Sequence, residues 1–324
     1  MQTSEGLVKQ CCALIAFFVA AAAIAQPYPQ RPVRLITGFA PGSGADTLAR
    51  ITADRLSEQM KANVVVDNRP GAAGSIATTA VAQAPADGYT LLFGLITLTI
   101  TPYMQRVPPY DPVADLTPVA KVAELNSVMV APVNAPYKNL KELVAYARAN
   151  PGKLSYATSG KGSPSHLGIE LIRQATQIDI RDVPYRDGGQ AMADVIGGQV
   201  GFFFAAISAT IPHIRAGRVT GLAIGAVRRS DQIPEVPTVA EQLGIPGLEF
   251  TTWYGVLGPA GLPAPIVARL DKELASASAL PDVRERVTRA GARVNYAGPK
   301  EFGAEIKANS ERYGKMVRDL GLVE

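Results

Sequence analysis

The fold can be deduced outward from residues 33–60, which read VRLITGFAPGSGADTLARITADRLSEQM. Residues 33–37 are a short β-branched run that predicts a strand, whereas residues 46–60 have the pattern of a helix. The loop between them, residues 39–46, contains two glycines that let the backbone approach another molecule closely. A strand that leads through a glycine loop into a helix is typical of α/β folds.

The same alternation of strand and helix continues along the chain. Further strands are predicted at residues 64–66, 90–93, 154–157, 182–183, 200–204 and 219–224, and further helices at residues 75–83, 164–175, 189–196, 265–276, 281–290 and 299–320. Strands that alternate with helices of this length imply parallel sheets covered by helices on both faces.

Two such blocks are separated by extended stretches at residues 119–130 and 250–257. Two extended crossings between two α/β blocks predict a bilobed protein with a two-strand hinge, and hinges of this type let lobes close over a ligand. We expect residues 26–125 together with 251–324 to form domain 1, and residues 126–250 to form domain 2.

The amino-terminal run 11–25, CCALIAFFVAAAAIA, is apolar on every side. It is shorter than the roughly 20 apolar residues that a transmembrane helix needs. Small residues at 23–25 fit cleavage by a signal peptidase. We therefore expect residues 1–25 to be a signal peptide cut after Ala25, rather than a retained anchor or a buried helix, and the mature chain to work in the periplasm.

The composition excludes several classes of function. Cys11 and Cys12 both lie in the leader, so the mature chain has no thiol for a disulfide, a nucleophile or a metal. The net charge is only +4 and basic residues are scattered, which does not fit a nucleic-acid surface. The chain has two histidines, too few for histidine-rich zinc sites. We expect no metal, no cofactor and no nucleic-acid partner.

Two strand-to-helix loops, residues 39–46 and 158–166, are the candidate ligand sites, one in each lobe. In open α/β sheets, ligands bind at the carboxyl ends of strands, where loops lead into helix amino termini. The amides and positive dipole end of such a helix attract an anion. Both loops also fit ordinary turns, with Asp46 as a first-turn acid and Ser163 as an N-cap before Pro164. Their equivalent places favour a site that grips a carboxylate from both sides.

A dinucleotide site is the rival interpretation of the first loop. The GSG sequence at 42–44 follows a strand and opens a helix, and Asp67 ends the next strand. Thr47 occupies the third glycine position, however, where it would hinder close approach, and export removes the protein from the nicotinamide pool.

A hydrolase that uses Ser163 and His166 is the enzyme alternative. No G-x-S-x-G nucleophile elbow surrounds the serine, and we expect no enzyme activity.

Short segments spread over the mature chain carry a family resemblance. They are YPQRPVR at 28–34, FAPGSGAD at 39–46, VDNRPGAAG at 66–74, PADGYTL at 85–91, GSPSHL at 162–167, VPYR at 183–186, GGQV at 197–200, PHIRAG at 212–217, PEVPTVAE at 234–241 and WYG at 253–255. In this order they resemble the Bug family of extracytoplasmic solute receptors, the binding proteins of tripartite tricarboxylate transporters.

The resemblance implies a type II-like periplasmic binding fold, with two mixed or parallel sheets flanked by helices, that closes over a small, usually carboxylated solute. It implies an organic anion and the permease subunits of a tripartite tricarboxylate transporter as partners, with a sensor kinase as an alternative partner, and a monomer. The family's ligand loops map onto residues 39–46 and 160–166, with further contacts near Thr97 and Tyr185. The expected ligand contacts are Phe39, Ala40, Gly42, Ser43, Gly44, Asp46, Thr97, Gly160, Ser163, His166 and Tyr185.

Three positions depart from the family pattern. Ser43 stands where a second glycine is common, so that its hydroxyl would protrude into the carboxylate pocket. Gly201 and Ala205 each replace an aspartate that we expect beside the cleft. Losing two acids there would remove partners for a ligand amine, so we expect an aromatic or otherwise partly apolar carboxylate rather than an amino acid.

Overall fold

The computed structural model describes residues 28–158, 163–185, 188–245 and 250–323. The predicted leader and Gly160 lie outside these residues. Within these four ranges, no helix has the length and the apolar character needed to cross a membrane.

The chain folds into two α/β lobes, each built around its own sheet. The first lobe begins with β1 (Val33–Thr37), α1 (Gly44–Met60), β2 (Val64–Asn68), α2 (Ser75–Ala82), β3 (Thr90–Leu95) and β4 (Leu116–Leu125). The second lobe contains β5 (Ser127–Pro132), α3 (Leu140–Ala149), β6 (Leu154–Thr158), α4 (Pro164–Thr176), β7 (Ile180–Pro184), α5 (Gly188–Ile196), β8 (Phe202–Ala206), α6 (Ile207–Arg215), β9 (Val219–Ile224) and α7 (Val239–Leu243). The chain then returns to the first lobe with β10 (Thr252–Pro259), α8 (Ala264–Ala279), α9 (Pro281–Arg289), β11 (Arg293–Ala297) and α10 (Pro299–Asp319).

Both sheets are mixed rather than wholly parallel. The first lobe has six strands in the order β11-β4-β10-β3-β1-β2, and the second has five in the order β7-β6-β8-β5-β9. Strands β1, β2 and β3 are parallel, as are β6, β7 and β8. The strand that leaves the first lobe, β4, pairs antiparallel with the returning strand β10, and β5 runs antiparallel to both of its neighbours. Every antiparallel pair therefore includes β4, β5 or β10, the strands next to the two crossings between the lobes.

Every helix and strand predicted from the sequence is present, with ends that differ by a few residues. Sheet membership changes between Leu125 and Ser127 and again between Ile224 and Thr252. The exact residue boundaries proposed for the two domains stay a prediction. Helices α3, α6 and α7 and strand β11 were not predicted.

The core of the first lobe contains an aromatic pair between β10 and α10. The rings of Trp253 and Phe302 are arranged edge to face with centroids 5.0 Å apart, and both side chains are almost wholly buried. Gly255 lies directly under Phe302, and a Cβ there would collide with the ring. Glycine at this position therefore leaves the space that the phenyl ring fills.

The two lobes are in contact through helix α4 and through one turn. Leu167 of α4 belongs to the second lobe, yet it is fully buried in the apolar cluster of the first. Leu171, one turn further on, packs against the clusters of both lobes. The turn at Gly291 also lies so close to Ser208 of α6 that a Cβ would collide with the serine hydroxyl.

Replacing Phe302 with alanine should destabilise the first lobe by about 3–5 kcal/mol, because the ring leaves a cavity that Gly255 cannot fill. Urea unfolding followed by circular dichroism would measure the loss. Val107→Ala is the control, since Val107 is 81% exposed, and we expect a change within about 0.5 kcal/mol. Equal stabilities for the two variants would contradict this description of the core.

Candidate functional site

A serine caps the helix after each candidate loop in the same geometry. Ser43 precedes α1 with φ −69° and ψ 161°, and Ser163 precedes α4 with φ −66° and ψ 156°. Each hydroxyl accepts a hydrogen bond from the amide three residues on, that of Asp46 at 3.2 Å and that of His166 at 3.3 Å. Each serine carbonyl accepts a bond from the amide four residues on, at 2.9 Å in both lobes. The two loops therefore share one capping arrangement.

This capping leaves the earliest amides of each helix without a partner inside the helix. In α1 these amides belong to Gly44 and Ala45, whereas in α4 the first is that of Ser165, because Pro164 has no N–H. Gly42 and Gly44 are exposed, and a Cβ at either would meet no atom within 4 Å. The first loop therefore offers open space beside the positive end of α1, where an anion is favoured.

The buried carboxylate of Asp46 anchors the first candidate loop, residues 39–46. It is only 3% exposed. It accepts hydrogen bonds from the amide of Gly42 at 2.9 Å, from Nδ2 of Asn68 at 2.8 Å and from Nε of Arg50 at 3.0 Å. Asn68 also donates to the carbonyl of Phe39 at 3.0 Å. Asp46 thus ties the loop to β2 and to α1, and its place as a ligand contact stays a prediction.

These contacts keep Asp46 ionised. Burial alone would raise its pKa, but the hydrogen bonds from Arg50, Asn68 and Gly42 and the charge of Arg50 outweigh burial and hold the pKa below its ordinary value. The negative charge beneath the loop is offset by the adjacent guanidinium. An anion above the loop is therefore not opposed by an unpaired carboxylate.

A second loop of the first lobe, residues 71–74, was missed as a site by the sequence analysis. Its four residues all have positive φ: Gly71 (139°), Ala72 (46°), Ala73 (51°) and Gly74 (95°). Alanine rarely adopts this region, and such strain tends to occur at functional sites. The GAAG sequence between a strand and a helix was the available signal, since two glycines three residues apart indicate an unusual turn.

Close contacts hold the 71–74 loop against the first. Gly38 approaches the backbone of Gly74 so closely that a Cβ would collide with it. A Cβ on Gly74 would be 3.4 Å from the ring of Phe39. The hydroxyl of Thr97, just after β3, donates to the carbonyl of Ala73 at 2.9 Å. The predicted residues Phe39 and Thr97 therefore meet at one edge of the sheet, and Ala40 lies exposed beside them.

In the second lobe, Ser163 and His166 lie at the start of α4, as predicted, and Ser163 makes the contacts of a helix cap. The hydroxyl of Ser163 accepts from the backbone N–H of His166 and contacts the hydroxyl of Ser165 at 3.0 Å. His166 is 5% exposed. Because Ser163 serves as the helix cap, this arrangement explains it without a nucleophile.

Tyr185 follows β7 at the same edge of the second sheet. Its amide donates to the carbonyl of Thr158 at 2.8 Å, and its hydroxyl donates to Asp194 of α5 at 2.7 Å. Burial and the hydrogen bond to Asp194 raise the pKa of Tyr185 to about 12, so the phenol is neutral. The phenol is thereby held against the last turn of α5.

The structure corrects one of the family departures. Gly201 precedes β8 and therefore lies at its amino end, opposite the candidate site; a Cβ there would collide with Leu154 and lie 2.9 Å from the carbonyl of Ser155. An acid at this position would not have faced a ligand. Ala205, at the carboxyl end of β8, instead lines a cavity of about 490 Å³.

The family model described as the tripartite tricarboxylate transporter family receptor, TctC, matches residues 48–322. The protein BugT of Bordetella pertussis is 35% identical over 316 residues, which cover 95% of this chain and 97% of BugT.

Solved structures of the same kind match at similar identity. Rpa4515 of R. palustris with adipate is 32% identical, with a TM-score of 0.74, and the match covers 91% of this chain and 98% of that one. MatC of Rhodopseudomonas palustris with bound malate is 31% identical, with a TM-score of 0.71, over 90% of this chain and 100% of the other.

The Asp46→Asn variant should be less stable than the native protein by about 2 kcal/mol near neutral pH, because hydrogen bonds to a charged acceptor are lost. The depressed pKa means that this contribution is present above the ordinary aspartate value of about 3.9 and is lost as the pH falls through the folded value. Thermal unfolding at about pH 7 and about pH 3 should therefore show the difference shrinking in acid.

Asp54→Asn is the matched control for this measurement. Asp54 lies on the same helix and pairs with Arg286 at 2.6 Å, but its side chain is 53% exposed. We expect a change below about 1 kcal/mol, as for other surface ion pairs. A stability gap for Asp46→Asn that stays constant with pH would show that its carboxylate is not the anchor described.

Proposed function

This chain belongs to the tripartite tricarboxylate transporter family of receptors, and we propose that it captures a small organic carboxylate between its lobes and delivers it to a tripartite tricarboxylate-type membrane transporter. Its relatives are solute-binding proteins rather than enzymes. Relatives with adipate and with malate support a carboxylate as the ligand class. Export after Ala25, the permease partner and the monomeric state are parts of the same proposal.

The observation that carries the proposal is the pair of serine-capped helix amino termini, one in each lobe. Their early amides lack partners within the helices, and amides with a helix dipole behind them bind carboxylates without a positively charged side chain. A ligand held by both termini would stabilise the closed arrangement of the lobes. Exclusion of water on closure would in turn strengthen each hydrogen bond to the carboxylate.

The strained 71–74 loop supports a preformed half-site in the first lobe. Its backbone lies against Gly38 and Phe39, so that the glycine loop cannot easily shift toward it. A preformed half-site lowers the ordering cost of binding. Thr97 in the first lobe and Tyr185 in the second, both predicted contacts, would then lie on either side of the ligand.

A thermal-shift screen of the purified protein tests the ligand class directly. Mono-, di- and tricarboxylates should include compounds that raise the melting temperature, because a ligand that binds only the native state stabilises it. Sugars and simple cations serve as controls and should have no effect. A shift with sugars and none with any carboxylate would refute the proposed function.

The Gly42→Val variant should lose carboxylate binding while the protein stays folded. The side chain would enter the open space beside the amides of α1, and Gly42 has φ +81°, which valine adopts only with strain. Gly198→Val is the matched control, because Gly198 has φ +72°, has no neighbour within 4 Å of its Cβ position and lies in the turn that leads from α5 to β8.

Calorimetric titration with the best carboxylate from the screen would compare the two variants. Loss of binding in Gly42→Val with retention in Gly198→Val is the expected result. Normal binding by Gly42→Val would show that the ligand lies elsewhere.

A further inference from the structure

The two lobes also face each other across a groove beside the first crossing between them. Its volume is about 340 Å³. The second lobe contributes the first turns of α6 together with Ser230 and Gln232, and the first lobe contributes residues 288–293, the turn between α9 and β11. Asn126, which lies between β4 and β5 in the crossing itself, also lines the groove. We call this space the hinge groove.

The order of the strands places the hinge groove across the crossing strands from the candidate ligand loops. In the first sheet, β11 follows the 288–293 turn and lies on one side of β4 and β10, whereas β1, β2 and β3 lie on the other side. In the second sheet, β9 leads to Ser230 and lies on one side of β5, whereas β6 and β7 lie on the other. A rotation of the lobes about the crossing strands would therefore widen the ligand cleft as it narrows the hinge groove.

Within the hinge groove, Gly291 of the first lobe approaches Ser208 of the second. A Cβ on Gly291 would lie 2.3 Å from the hydroxyl oxygen of Ser208 and 2.8 Å from its Cβ. The serine side chain supplies the described atoms within 4 Å of that position, apart from the neighbours of Gly291 in the chain. The absence of a side chain at Gly291 therefore makes room for the other lobe and not for a group of its own lobe.

Both partners in this contact are fixed to the elements that meet at the hinge. The turn of the first lobe is held to β4, because Arg293 pairs with the buried carboxylate of Glu124. The amide of Ile207, the first residue of α6, donates to the carbonyl of Asn126 at 2.9 Å. A collision at this contact would therefore be relieved by moving the lobes rather than the turn. Because the contact lies close to the pivot, a small displacement there corresponds to a larger one at the cleft.

We propose that the contact between Gly291 and Ser208 is a stop behind the hinge, which limits how far the ligand cleft opens. Glycine at position 291 permits a wider opening than any larger residue would, and it thereby lowers the fraction of ligand-free protein that is ready to bind. The apparent affinity falls with that fraction. The effect on affinity rests on the proposed function, whereas the effect on the arrangement of the lobes does not require a ligand.

The Gly291→Ala variant tests the stop, because its Cβ should hold the lobes apart at the hinge groove. We expect the best carboxylate of the thermal-shift screen to bind at least about threefold more tightly in calorimetric titration, since a larger fraction of the free protein is closed. Gly261→Ala is the matched control. Gly261 has φ +76°, against +84° for Gly291, has no atom within 4 Å of its Cβ position and follows the end of β10 that is remote from the hinge. This control should bind as the native protein does.

A second substitution separates the collision from the backbone strain of alanine at positive φ. Ser208→Gly, made in the Gly291→Ala protein, removes both atoms that the new Cβ would meet. Ser208 is exposed near the start of α6, so this change should not disturb the core. The affinity should return to the native value. A double variant that keeps the altered affinity would show that the Gly291→Ala effect does not come from this contact.

A distance measurement without ligand tests the arrangement of the lobes directly. Ile76→Cys on α2 and Ala193→Cys on α5 provide exposed sites for spin labels on helices that follow β2 and β7, the outermost strands on the ligand side of each sheet. The protein without its predicted leader has no other cysteine. By double electron–electron resonance, the mean distance should be shorter in Gly291→Ala and unchanged in Gly261→Ala.

The outcomes separate the two proposals. An unchanged or longer distance in Gly291→Ala would overturn the stop, and a shorter distance without tighter binding would overturn its control of affinity. If the distance shortens while no carboxylate binds the native protein, the proposed function fails and the stop remains supported.

Discussion

The hydrogen-bonded carboxylate of Asp46 is the interaction on which the candidate site depends. It joins the glycine loop, through Gly42, and helix α1, through Arg50, to the end of β2, where Asn68 lies 22 residues further along the chain. A hydrophobic contact could not do this, because it would not fix the direction of the loop amides. The guanidinium also matters for function, since a lone buried carboxylate would repel the anion that the helix terminus attracts.

The backbone beside this network is strained at residues 71–74. Two successive alanines with positive φ are tolerated because Gly38 lies against Gly74 and Thr97 holds the carbonyl of Ala73. Helix α1 is held by hydrogen bonds and α2 by this close packing. Both begin at the same sheet edge, after β1 and β2. The first lobe therefore presents an edge that is already organised before any ligand arrives, which is where strain is expected to be useful.

Much of the fold could be predicted because strands and helices of the α/β blocks differ clearly in their hydrophobic spacing. Helix α6 was missed because Pro212 interrupts its pattern, and β11 because RVNYA is partly polar and lies at a sheet edge. The sequence left open which strands pair antiparallel, because periodicity does not encode the partner of β4 or β10. Within the site, the loops were found from their glycines, whereas the anchoring role of Asp46 required knowing that Asn68 lies beside it. Gly201 was misplaced because its position beside the cleft was expected from the family resemblance, whereas it lies at the amino end of β8.

Helix α4 links binding to the arrangement of the lobes. Its first turn carries the Ser163 cap and the early amides, and its next turns place Leu167 and Leu171 against the apolar cluster of the first lobe. A rigid helix cannot move one end without the other, so separating the lobes would expose Leu167 and withdraw the amides together. The apolar contact favours closure by itself but supplies no selectivity, because it is the same for every ligand. Selectivity must then come from groups that only a ligand of suitable chemistry can satisfy, and the amides at the two helix termini are such groups.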